Sequence, residues 1–251
     1  MELELAGKTA LVTGSSRGIG RVIAETLLSE GCRVAVNARS ANQLYECSSS
    51  IGAAMAIAAD VAVPREAQRL VDETVRMLGS IDILICNVGS GRSVLPGEET
   101  YEEWQRVFAS NLWSTTNTVE AARVALAASK GVIVCVSSIC GIEVVHGAPL
   151  TYSSAKAALN AYVRGICRPL GLQGIRINAV APGNILFDGS VWSRKLAQDP
   201  DSLQIMLDRD VAMGRLGTPT DVAELVAYLA SPRSSFVTGG VWTLDGGQVH
   251  S

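Results

Sequence analysis

The chain has 251 residues, 48% of them hydrophobic and 18% charged, which excludes a disordered protein and supplies enough apolar material for one large α/β domain spanning 1–251. A formal net charge of −3, with no long run of like charges, offers no basic field for nucleic acid. No basic and apolar leader opens the chain and no segment is apolar enough to span a membrane, so the expectation is a cytoplasmic protein without membrane association.

Along the chain, short β-branched runs alternate with longer segments of helical period, the signature of successive β-α-β units in a doubly wound parallel sheet with helices on both faces. Strands are predicted at Lys8–Thr13, Arg33–Asn37, Ala54–Ala58, Ile81–Asn87, Gly131–Ser137, Arg176–Val180 and Val241–Leu244. The first runs straight into Thr13-Gly14-Ser15-Ser16-Arg17-Gly18-Ile19-Gly20 and then an amphipathic helix. In that setting Gly14 permits a tight turn, Gly18 lets backbone amides approach a pyrophosphate, and Gly20 allows close strand–helix packing, with the anion at the positive end of the helix. The second strand ends in Asn37-Ala38-Arg39-Ser40, without the acid that takes the ribose hydroxyls of NAD. Arg39, together with Arg17, offers charge-assisted bidentate donors to a 2′-phosphate. NADP(H) is therefore the favoured cofactor, with NAD(H) as the alternative.

Further on, Cys86 and Cys135 read as small core residues, and the six cysteines contain no C-x-x-C pair that would hold a metal. Thr100-Tyr101-Glu102-Glu103 has the spacing of a capping box and opens a long helix. Pro169 stands late in the helix expected after Tyr152 and predicts a kink or an end near Arg168. Asn184 to Asp210 (184–210) is long and mixed, the composition of a mobile substrate lid. Thr218-Pro219-Thr220-Asp221 puts proline at the first helical position and an acid in the first turn, ahead of an apolar stripe from Val222 to Leu229.

With the glycine turn upstream, Tyr152-Ser153-Ser154-Ala155-Lys156 resembles the signature of the short-chain dehydrogenase/reductase family, and the likeness covers nearly the whole chain. It includes Asp60-Val61 after the third strand, Asn87-Val88-Gly89 after the fourth, Asn111 in the long helix, Ser137-Ser138 ending the fifth, and Pro182-Gly183 after the sixth. The resemblance, which extends to 3-oxoacyl-acyl-carrier-protein reductases, implies Tyr152 as proton donor and acceptor. It also implies Lys156 on the nicotinamide ribose, Ser138 on the substrate oxygen, and Asn111 supporting a water in the proton relay. Ser137 is the weaker substitute for Ser138. By the same resemblance the cofactor lies along Ser16, Ile19, Asp60, Val61, Asn87, Val88 and Gly89, and along Pro182, Gly183 and Ile185. Two positions depart from the family: Val88 replaces an alanine, and Phe187 replaces the threonine that contacts the carboxamide, which leaves the backbone of Ile185 for that contact.

Residue chemistry runs parallel to the resemblance. Hydride transfer to a carbonyl builds negative charge on oxygen, so the site needs a proton donor and a second donor to hold that oxygen. A phenol with the usual pKa of about 10 is a weak acid, and a lysine at i+4 favours its ionised form. The substrate, a carbonyl or secondary alcohol such as a 3-oxoacyl thioester or small polar ketone, is expected between the segment after Ser138, the Gly91 to Gly97 loop and the lid. Ser129 and Gln173 stand where relatives that dock an acidic carrier protein carry arginines, and His146 reads as a turn residue. The resemblance further implies a homotetramer or homodimer, with the apolar Phe236 to Trp242 segment as a contact. The competing reading is a catalytically silent dinucleotide-binding sensor or scaffold.

Overall fold

A computed structural model describes residues 2–249. Its strands are β1 (Thr9–Val12), β2 (Arg33–Ala38), β3 (Met55–Ala58), β4 (Ile83–Cys86), β5 (Val132–Val136), β6 (Arg176–Pro182) and β7 (Val241–Leu244). They form one parallel sheet in the order β3-β2-β1-β4-β5-β6-β7. All seven predicted runs are present; β6 reaches two residues further than Val180, and β4 is trimmed at both ends. The helices are α1 (Gly18–Ser29), α2 (Ala41–Ile51), α3 (Pro64–Leu78), α4 (Tyr101–Phe108), α5 (Ser114–Ser129), α6 (Leu150–Gly171), α7 (Val191–Gln198), α8 (Pro200–Asp210) and α9 (Pro219–Ala230).

Successive strand residues point to opposite faces, and both faces here are apolar. Val12, Val34, Val36, Ile85 and Val134 pack with Ile23 and Leu27 of α1 and Val222 and Val226 of α9. Leu11, Leu84, Ile133 and Ile177 pack with Leu70 of α3, Leu126 of α5 and Leu159 of α6. Cys86 and Cys135 are register partners in this second layer and are buried, as expected for core residues. The strand order reverses between β1 and β4, so the loops leaving their carboxyl ends diverge and open a crevice there.

Two local expectations are corrected. Thr100 caps α4 by accepting from the Glu103 amide at 3.2 Å, but the Glu103 carboxylate does not complete the box. It bonds Ser93 and Arg106 instead, because a guanidinium is a stronger partner than a backbone amide. The full reciprocal box forms at Thr218 and Asp221, ahead of α9. Pro169 does not end α6, which runs to Gly171. Leu170, buried in the core, anchors the turn, and the Leu172 amide still reaches the Arg168 carbonyl at 3.1 Å. The 184–210 segment folds as α7 and α8 around its own small core of Leu203, Leu207 and Val211, with Trp192 and Met206 against it. Among the described residues no helix is long and apolar enough to cross a membrane.

Candidate active site

The glycine turn is clamped to the end of β4. Thr13 Oγ1 donates to the Ile85 carbonyl at 3.1 Å, and Asn87 Nδ2 donates to the Thr13 and Gly14 carbonyls at 3.2 and 2.9 Å. Gly14 turns with φ +64°, and a Cβ there would meet Asn87 and Val88 at 3.1 Å, so the turn requires glycine. No side chain caps α1 and no acid lies in its first turn. Its leading amides therefore form an anion seat beside Ser16 and Ile19, which line the same cleft.

Asn37 is buried, and its amide ties β2 to the end of β3 through the Ile57 and Ala59 carbonyls at 3.0 and 3.2 Å. Its Oδ1 lacks a hydrogen-bond partner. Arg17 and Arg39 are exposed at the cleft, and neither guanidinium forms an ion pair or hydrogen bond among the described residues. Asp60 accepts from the Ala62 amide at 3.1 Å, and Val61 is buried. An uncapped helix start, a glycine cradle, two unpartnered guanidiniums and an orphaned acceptor together fit a phosphate-bearing dinucleotide.

At the end of β5 the two serines part. Ser137 Oγ donates to Asn160 Oδ1 at 2.6 Å and is turned into α6, whereas Ser138 caps the short 3-10 turn Ile139–Gly141 and faces the cleft beside Tyr152. Gly141 rests on the Lys156 backbone, where a Cβ would fall 2.5 Å from the Lys156 carbonyl carbon. Asn160 also donates to the Gly141 carbonyl at 2.9 Å, which fixes Ser138 against α6. One turn beyond Tyr152, Lys156 Nζ donates to the Val136 carbonyl at 2.8 Å and lies 5.9 Å from the Tyr152 ring centre.

Burial pushes the Tyr152 phenol up to about 12, against the opposing effect of the neighbouring Ser138 hydroxyl, and burial pulls Lys156 down to about 8. The expected acidification of the phenol by the lysine is therefore not produced by the chain alone. Desolvation dominates at the phenol, and the ammonium is directed at Val136.

Asn111 is buried in a π turn, Ala109–Trp113, that joins α4 to α5, where an uninterrupted helix was expected. Its Oδ1 accepts from the Ser90 amide at 3.0 Å, and its Nδ2 donates to the Ser90 and Val107 carbonyls at 3.1 and 3.0 Å. Gly89 passes between Asn111 and Lys156; a Cβ there would stand 2.9 Å from Asn111 Oδ1 and 3.2 Å from Lys156 Nζ. Single-turn π insertions recur at functional sites, and nothing in the periodicity of this segment signals one.

The glycine turn and the Ser138, Tyr152 and Lys156 cluster line one cleft of about 1680 Å³. Its other walls come from the segment after Ser138, from the 184–210 segment, and from Gly91 and Arg92, the part of the 91–97 loop that reaches it. Ile185 bridges to Gly217 through its neighbours, Asn184 accepting and Leu186 donating, so its own amide and carbonyl face the opposite way. Phe187 lies on Gly18, with its ring 2.6 Å from where a Cβ would be. Sequence reasoning missed that contact, although a bulky residue in place of a small polar one was the available signal. No metal-binding cluster occurs among the described residues.

The fold and site define a dinucleotide-binding oxidoreductase architecture, and comparison with known proteins agrees. The family model described as Enoyl-(Acyl carrier protein) reductase matches residues 14–249. Hydroxynaphthalene reductase-like protein Arp2 of Metarhizium brunneum is 35% identical over 261 residues, covering 98% of this chain and 96% of that protein. The 3-oxoacyl-acyl-carrier-protein reductase FabG of Escherichia coli is 33% identical over 247 residues and 98% of each chain. Among solved structures, L-sorbose reductase from Gluconobacter frateurii complexed with NADPH and L-sorbose superposes with a TM-score of 0.93 at 27% identity over 100% of both chains. The chain belongs to the short-chain dehydrogenase/reductase family and is an enzyme of that family.

Proposed function

We propose that the protein reduces a carbonyl compound to the secondary alcohol with NADP(H), and oxidises the alcohol in reverse. The observation that carries this reading is the convergence of Tyr152, held protonated at neutral pH, with Ser138 and Lys156 beside the glycine turn. Ser138 donates to the substrate carbonyl oxygen, and the Tyr152 hydroxyl transfers its proton to that oxygen as charge develops. A bound nicotinamide dinucleotide supplies the hydride to the carbonyl carbon. Lys156, largely protonated below about pH 8, then faces the phenolate left on Tyr152. Asn111 holds the Gly89–Ser90 backbone against that lysine, where a water relay would restore the phenol's proton.

The cofactor lies along Gly14, Ser16, Gly18, Ile19 and Gly20, with Arg17 and Arg39 on a 2′-phosphate, Asn37, Asp60 and Val61 at the adenosine end, and Asn87, Val88, Gly89, Pro182, Gly183 and Ile185 towards the nicotinamide. NADPH in the sorbose reductase complex supports the phosphate-bearing form. The 184–210 segment serves as the substrate lid. Phe236, fully exposed, and the part-exposed Trp242 on β7 favour association into a homodimer or homotetramer, which light scattering checks.

NADPH and NADH oxidation on a panel of carbonyl compounds tests the main reading. NADPH turnover well above that with NADH is expected. Tight cofactor binding without turnover of any carbonyl would reject it.

A further inference from the structure

The charge on the cleft is out of proportion to the charge on the chain. Eight of the 21 lysines and arginines line it, against three of the 24 aspartates and glutamates, Asp60, Glu143 and Asp210. Some of these cations already have work to do. Arg106 is paired with Glu103 and Arg209 with Asp210, Lys156 belongs to the catalytic cluster, and Arg17 and Arg39 stand at the glycine turn and the end of β2. Three remain: Arg92, Arg194 and Lys195.

Arg92 is tied to the reacting end of the cleft, and Arg194 and Lys195 face the same cavity from α7. The loop holding Arg92 is pinned on both sides to the start of α6: Gly91 lies against the Tyr152 ring, 3.9 Å from where a Cβ would stand, and Ser93 Oγ shares a 2.6 Å hydrogen bond with Thr151 Oγ1. Arg194 and Lys195 are adjacent on α7, the lid helix lining the same cavity. Neither the Arg92 nor the Arg194 guanidinium has a hydrogen bond or ion pair among the described residues, and Lys195 lies 4.6 Å over the Trp192 ring. Like charges gathered in a cleft repel one another and focus a field that draws in an anion. The cavity also exceeds the roughly 300–1,000 Å³ typical of a single ligand site, leaving room beyond a dinucleotide.

We infer that the substrate is an anionic carbonyl compound, carrying a carboxylate or phosphate that Arg92, Arg194 and Lys195 hold while Ser138 and Tyr152 engage the carbonyl. This rests on the reductase reading above. Arginine forks match both oxyanions, so the shared recognition chemistry is a planar or tetrahedral oxyanion set away from the reacting carbon.

The test uses matched oxo compounds bearing a carboxylate, a phosphate, or the neutral ester in their place, assayed with saturating NADPH. An advantage of about tenfold or more in kcat/KM is expected for an anion over its neutral ester, the value of one well-placed charge contact. That advantage shrinks as salt rises from about 0.05 to 0.5 M. Which anion leads identifies a carboxylate or a phosphate substrate. Arg194→Gln combined with Arg92→Gln brings the anion down towards the ester, whereas Arg164→Gln, an exposed cation further along α6 that does not line the cleft, leaves the ratio alone. Equal kcat/KM for anion and ester, insensitive to salt and to the paired substitution, overturns the inference and leaves the reductase standing. No turnover of any compound overturns the reductase reading and the inference with it.

Discussion

At the α6 end of the cleft each polar side chain proposed to act on the substrate is held by another part of the chain, whereas at the glycine turn, the end of β2 and α7 the guanidiniums have no hydrogen bond or ion pair among the described residues. Lys156 is bonded to Val136, Ser138 to Cys140 and Asn111 to Ser90, and the Tyr152 ring lies against Gly91. Arg17, Arg39 and Arg194 have open guanidiniums. The difference separates two jobs. Groups that act on a reacting bond must be fixed before the substrate arrives, while groups that recognise charged ligands receive their partners from those ligands.

The sharpest way to break the comparison is at the fixed end. Tyr152→Phe removes the proposed proton donor without opening a cavity, and kcat/KM is expected to fall by on the order of 10²–10⁴. Cofactor affinity, followed by fluorescence titration, stays near wild type; an undiminished rate would move the acid elsewhere. At the open end, Arg39→Ala removes the guanidinium proposed to meet the 2′-phosphate. It should lower kcat/KM for NADPH by roughly ten- to a hundredfold while sparing NADH. Equal losses for both cofactors would take Arg39 off the 2′-phosphate. Where Phe187 meets the glycine turn, Gly18→Ala places a Cβ at φ +57° and 2.6 Å from the ring. Cofactor affinity should weaken by about tenfold, the scale of a modest backbone strain. Adding Phe187→Ala should recover part of that loss; no recovery would show that the ring yields freely.

The same division governs what was legible in the sequence. Strands buried on both faces write themselves as continuous apolar runs, so all seven could be located, and the glycine turn announces itself because Gly14 and Gly20 leave no room for a side chain. Tyr152, Lys156 and Ser138 were singled out by the family resemblance, and their meeting in one cleft follows because a helical turn and a strand end place them with little freedom. Three features were not. The π turn at Asn111 depends on a backbone insertion that leaves hydrophobic periodicity unchanged. The turn at Pro169 survives because Leu170 is buried, a tertiary fact that outweighs local propensity. The electrostatics of Tyr152 depend on how deeply it is desolvated and where the lysine points, and spacing at i+4 records neither.

The smallest expected effect lies in that desolvation and appears in stability. Lys156 titrates at about 8 in the fold against its ordinary 10.5, so the native state sheds its proton first as pH rises. Between those values the unfolded chain binds more protons, and stability gains with pH; below about 8 the cost of the buried ammonium is fully present. Several buried thiols and phenols act in the opposite sense, among them Cys47, Cys140 and Tyr162, which burial also raises. Burial raises Cys32 from 9.0 to about 11 and Tyr152 from 10.0 to about 12, so each withdraws stability as pH climbs through its own window. A wild-type curve alone therefore mixes opposing contributions, and the difference between wild type and Lys156→Met isolates the lysine. That difference should move in favour of wild type by on the order of 1 kcal/mol between pH 7.5 and 10.5, read by urea unfolding at several pH values. Its starting offset also contains the lost bond to Val136, so the slope carries the information and the intercept does not. A flat difference would mean that the ammonium keeps its ordinary affinity for the proton at the bottom of the cleft, and the fixed end would then resemble the open end in leaving its charge to solvent.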